Sequence, residues 1–164
     1  MKSKISVAIA LAALWAGQAL AQNVQVKDPW ARATVQGQKA SGAFMTLTAK
    51  ADTTLVGVAS SVAGVAQVHE MKMDSGVMQM RALPKGLELP AGKAVTLKPG
   101  SFHLMLMDLK VPLRKDTTIP VTLRFKDAKG VESTLELKVP VSTSAPSGDA
   151  GGHQHDMHDA TSKP

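Results

Sequence analysis

Residues 65–83 read VAQVHEMKMDSGVMQMRAL, two alternating runs on either side of Asp-Ser-Gly. Neither run holds a 3.6-residue apolar period. In an extended chain alternate side chains share a face. His69, Met71 and Met73 then point one way, and Glu70, Lys72 and Asp74 the other. After the turn Met78 and Met80 share a face, opposite Val77, Gln79 and Arg81. Gly76 suits the positive φ of a two-residue hairpin loop at Ser75-Gly76. That loop predicts the pairs Met73–Met78, Met71–Met80 and His69–Ala82, with the imidazole and all four thioethers on one face. A three-residue loop would break this register.

The same alternation runs outward through the chain. VQVKD (24–28), AFMTLTA (43–49), TTLVGVA (53–59), AVTLK (94–98), HLMLMDL (103–109), TTIPVTLRF (117–125) and VESTLELKV (131–139) read as further strands. The turn signals PKG, PAGK, KPGS and KDAKG separate them. DAKG (127–130) reads as a hairpin turn. Pro120 falls inside a strand pattern and marks an edge or a bulge there. Many short strands at this spacing predict an all-β sandwich or barrel.

The ends differ from this body. Lys2 and Lys4, the short apolar run ISVAIALAALWA and Ala19-Leu20-Ala21 predict a cleaved signal peptide over 1–21, and hence export. The run is short for a membrane span, so none is expected after cleavage. The folded domain is expected over 22–140. Residues 141–164 are rich in Ser, Gly, Pro, His and Asp and predict a flexible tail.

Composition narrows the function. The full chain of 164 residues has 19 Lys and Arg against 13 Asp and Glu, for a formal charge of +6. Removing Lys2 and Lys4 with the signal peptide leaves about +4. The basic residues are scattered and aromatics are few, which argues against a nucleic-acid surface. A weakly basic surface favours an acidic protein partner through steering. There is no cysteine. Disulfides, thiolate zinc or iron–sulfur sites, a cysteine nucleophile and a blue-copper centre are all excluded.

What remains is sulfur and imidazole. On FHLMLMD (102–108) His103, Met105 and Met107 share a face, while Leu104 and Leu106 occupy the other. The leucines already serve the core, so the methionines are not needed there for burial alone. A methionine stripe on a strand is ordinarily core packing, and Met45, Met71, Met73, Met78 and Met107 can each be read that way. Two histidines, each with methionine on its own face, point further. Zinc, calcium and magnesium do not choose thioethers, whereas Cu(I) does, and imidazole also suits copper. Two His and two Met make a neutral donor set with no thiol to oxidise.

DPWARAT (28–34), LVGVASSVAGVAQVHEM (55–71), GVMQMR (76–81) and LKPGSFHLMLMDL (97–109) together resemble the periplasmic copper chaperones of the PCu(A)C type, over about residues 24–140. The family motif is H-x10-M-x21-H-x-M. His69 and Met80 have ten residues between them, and His103-Leu104-Met105 supplies H-x-M. Met80 and His103 are separated by 22 residues, one more than the motif, which a loop around Pro84-Lys85-Gly86 can absorb. The resemblance implies a cupredoxin-like Greek-key β-sandwich or barrel. It implies His69, Met80, His103 and Met105 as Cu(I) ligands, at a strand–loop edge. It also implies delivery of copper to partners such as cytochrome c oxidase subunit II, for its copper A site, or Sco-type proteins. Copper sequestration for resistance is the alternative. An enzyme is not expected, because only His69 and His103 lie in the folded body. In the tail, His153, His155, Met157 and His158 among aspartates suit Cu(II). Trp30 is expected to plug one end of the barrel rather than to cap a metal, and Arg32 to pair with a carboxylate if with anything.

Overall fold

A computed structural model describes residues 23–146. The expected signal peptide and the tail donors His153, His155, Met157 and His158 lie outside the described residues. Ten strands follow one another with no helix among the described residues: β1 (Val24–Arg32), β2 (Ala40–Ala49), β3 (Thr53–Ala59), β4 (Ala63–Asp74), β5 (Val77–Ala82), β6 (Leu87–Leu89), β7 (Ala94–Leu97), β8 (His103–Leu109), β9 (Thr118–Asp127) and β10 (Glu132–Ser142). Their hydrogen-bonded order is β5-β4-β8-β2-β1-β10-β9-β3-β6, with β7 also beside β2. One layer is β5-β4-β8-β2-β1 with β7, and the other is β10-β9-β3-β6. A short parallel pairing, Ala31 with Val141 and Arg32 with Ser142, joins them. The ladder does not close, so the fold is an open sandwich rather than a barrel.

Period-two alternation places the core between the layers. In β9, Ile119, Val121, Leu123 and Phe125 are buried and the residues between them are not. Leu104 and Leu106 of β8, with Ala43, Met45 and Leu47 of β2, face them from the other layer within one cluster. Each fully buried Leu contributes about 1.5–3 kcal/mol relative to exposure. Met45 is therefore core, as its strand position allows.

Two departures from the expected elements have local causes, while Pro120 stands at an edge as expected. β6 was not expected, because three residues are too few to show a period. Gly86, at φ +86, ends the Pro84-Lys85 turn and lets the chain pass against the Leu55 carbonyl, starting the β6–β3 pairing. β10 continues to Ser142 with Val141 buried, two residues past the expected domain boundary. Pro120 pairs with Lys138 of β10 on one side, while the β3 pairing stops at Thr122. That end of β9 thus has one neighbour, where a missing N–H costs nothing.

Strand β1 carries the departure that shapes the site. Val24 and Val26 pair with Ala49 and Leu47 on the inner face. A bulge between Lys27 and Trp30, with Asp28 at φ 49, then shifts the register. Beyond it the parity is reversed: Ala31 pairs with Ala43 inside, and Trp30 pairs with Phe44 outside. Trp30 is buried, as expected, but on the outer face of the layer and not at an end of a barrel.

Candidate metal centre

The hairpin β4–β5 adopts the expected register. His69 pairs with Ala82, Met71 with Met80 and Met73 with Met78. Ser75 and Gly76 both have positive φ, 49° and 82°, the geometry of a type I′ turn. On its other side β4 pairs with β8, so that His69 stands opposite His103 and Gln67 opposite Met105. Three strands thereby bring His69, Met80, His103 and Met105 to one outer face, at the end of the layer where β8 begins. The two rings lie edge to face with centroids 5.8 Å apart.

The proton positions follow from the hydrogen bonds. His103 Nδ1 lies 3.0 Å from the Ser101 carbonyl, which can only accept. His103 therefore donates from Nδ1 and holds a lone pair on Nε2. That lone pair faces the Met80 sulfur at 3.2 Å. His69 Nε2 lies 3.1 Å from Gln67 Oε1, again an acceptor, and so donates to it. His69 Nδ1 is then the unprotonated nitrogen, and it is buried with no partner. An orphaned buried acceptor costs free energy unless something occupies its lone pair. Burial, and after it the nearby His103, push the His69 pKa below its ordinary value of 6.5, which keeps the ring neutral at neutral pH.

The wall around the donors is apolar. Phe44 stands on β2 with its ring centroid 6.5 Å from that of His103, and Trp30 stacks on Phe44 at 4.7 Å. Arg32 lies over the outer side of Phe44, 5.7 Å from the ring centroid, in place of the carboxylate partner expected for it. Phe44 covers Gly42, where a Cβ would meet the ring at 2.7 Å; Met105 is the cross-strand neighbour of that glycine. The Glu70–Arg81 pair sits on the opposite face of the hairpin.

Sequence reasoning brought together all four body donors but missed Gln67, Ser101 and Phe44. Gln67 and Ser101 each precede a candidate histidine by two residues, so alternation alone could have found them. Phe44 becomes a neighbour of His103 only through the β2–β8 pairing, which no local pattern states.

The open β-sandwich thus gathers two buried imidazoles, the half-buried Met105 and the exposed Met80 on one outer face. A sequence profile of the LpqE-like family ("Putative lipoprotein LpqE-like") matches residues 24–141, and the chain belongs to that family. It is 38% identical over 121 residues to "Putative lipoprotein Lxx21020" of Leifsonia xyli subsp. xyli, covering 74% of this chain and 70% of that one. Among solved structures it is similar to Cu(I)-DR1885 from Deinococcus radiodurans, with 30% identity and TM-score 0.58 over 78% of this chain and 85% of that one. It is also similar to the copper-bound PCuAC domain from PmoF2, with 25% identity and TM-score 0.56 over 76% and 94%. The fold is thus that of PCuAC domains, as the resemblance implied.

Proposed function

We propose that this protein is a periplasmic copper chaperone whose folded domain carries Cu(I) as cargo on His69 Nδ1, His103 Nε2 and the Met80 and Met105 sulfurs. The observation that carries this reading is the meeting of His103 Nε2 and Met80 Sδ at 3.2 Å, with the ring proton turned away to Ser101. Metal bonds of about 2.0 Å to imidazole and about 2.3 Å to sulfur put tetrahedral N and S roughly 3.5 Å apart, so little movement is needed. The orphaned His69 nitrogen supports the second imidazole bond. The copper-bound state of two similar structures supports the choice of metal.

The donors set the mechanism of transfer. All four are neutral, so copper keeps its charge and leaves without a proton change. An acceptor's ligand displaces one thioether, the metal is briefly shared, and the remaining bonds exchange in turn. Met80, 48% exposed, is the donor an incoming ligand reaches first. The acceptors we assign are oxidase copper A sites or Sco-type proteins. The tail histidines collect Cu(II). In support, Ala145 and Pro146 line a cavity of about 210 Å³ with Trp30, Lys98 and Pro99, beside the Pro99-Gly100 turn that leads into β8. His153 follows Pro146 by seven residues, a reach of at most about 25 Å.

Anaerobic Cu(I) titration of the mature chain against a chromophoric chelator tests the reading. One tight equivalent is expected, lost in Met80→Ala/Met105→Ala and retained when the chain ends at Pro146. Loss of tight binding on removing the tail alone would overturn it.

A further inference from the structure

The four-donor site uses one methionine of the β4–β5 hairpin and leaves three unexplained. Met71, Met73 and Met78 share the outer face with Met80. Packing does not account for Met73 and Met78, and Met71 is only half-buried. Every residue of β5 is exposed, so the hairpin overhangs the sandwich with solvent on both sides. Met73 is 59% exposed and Met78 45%. A ribbon wetted on both faces has no physical need to differ between them. This one carries Glu70, Lys72, Gln79 and Arg81 on one face and four thioethers on the other.

The pairing sharpens the point. The Leu83 amide donates to the Val68 carbonyl, which fixes 68/83 as a hydrogen-bonded pair. Alternation then makes Met71–Met80 and Met73–Met78 the non-hydrogen-bonded pairs, where Cα atoms approach to about 4.5 Å and side chains come closest. The type I′ turn holds this register against slippage. Successive rungs on one face are separated by two residues, about 7 Å, within reach of flexible thioethers. The last rung ends at Met80, whose sulfur already touches His103 Nε2.

We propose that Met73 and Met78, with Met71, form a second, weaker soft-metal site at the hairpin tip, which loads and unloads the four-donor site through Met80. Its ligand is a soft monovalent ion, Cu(I) or its redox-inert analogue Ag(I). In the transfer step a bond from the metal to Met73 or Met78 sulfur breaks as one to Met71 or Met80 sulfur forms. No electron or proton moves. The loading role rests on the four-donor reading; the tip site does not.

Ag(I) titration of the full mature chain, labelled with ¹³C at the methionine methyls, separates the two. The first equivalent is expected to shift Met80 and Met105, and the second Met71, Met73 and Met78. In Met73→Leu/Met78→Leu, which keeps the size and apolarity, the second step vanishes. Affinity at the first is then unchanged, while Cu(I) loading from a chelator slows severalfold. Unmoved Met73 and Met78 methyls at excess Ag(I) would overturn the tip site and leave the chaperone reading intact. Shifts at Met73 and Met78 without shifts at Met80 and Met105 would uphold the tip site and overturn the four-donor one. Loading at the wild-type rate in the Leu variant would overturn the relay, and would reassign the stripe to an apolar docking face.

Discussion

The two faces of β8 divide the molecule's work. Leu104 and Leu106 on the inner face are completely buried, whereas His103, Met105 and Met107 on the outer face meet a shallow wall of side chains. One strand thus supplies packing free energy from Leu104 and Leu106, and two of the proposed copper donors, His103 and Met105, from its other face. The separation explains how a chain can keep unsatisfied donors: the inner face stabilises a fold that holds His69 Nδ1 without a partner.

Substitutions on each face should break different properties. The largest effect on stability is expected inside. Leu104→Ala should cost about 2–5 kcal/mol by urea denaturation, with Cu(I) affinity of the folded fraction unchanged. Met105→Leu on the opposite face should do the reverse, leaving the urea midpoint near wild type. Behind the donors, Gln67→Leu frees the His69 ring and removes the acceptor for Nε2. It should weaken Cu(I) binding by about 10–100-fold in the chelator competition. At the turn, Gly76→Ala places a Cβ at φ +82 and should cost about 1 kcal/mol. Nothing lies within 4 Å of that Cβ, so the cost is backbone strain alone.

The smallest effect is with pH. His69 titrates below its ordinary 6.5 in the folded protein, because burial and then His103 disfavour the imidazolium. The unfolded chain therefore binds more protons over the interval between the two values. Stability of the metal-free protein should be full above about pH 6.5 and fall as pH drops through the folded value. Urea midpoints against pH should show this slope, and His69→Asn should flatten it.

How much of this was legible in the sequence depends on range. The β4–β5 register could be read because Ser75-Gly76 permits only a short loop and alternation does the rest. The inward leucines and outward donors of β8 were legible for the same reason. Trp30 was not: the bulge at Asp28-Pro29 reverses the parity of β1, and nothing in DPWARAT states that a residue has been inserted. Arg32 found a ring instead of a carboxylate because that reversal places Phe44 beside it. The exposure of Met73 and Met78 was equally hidden. It depends on the hairpin overhanging the second layer, a property of the assembled sandwich.

The central claim is that two imidazoles and two thioethers share one copper ion. X-ray absorption at the copper edge, on the mature protein loaded anaerobically with one equivalent of Cu(I), tests it most directly. The proposed donor set predicts two nitrogen scatterers at about 2.0 Å and two sulfur scatterers at about 2.3 Å. A shell of nitrogen and oxygen alone, or of sulfur alone, would contradict it.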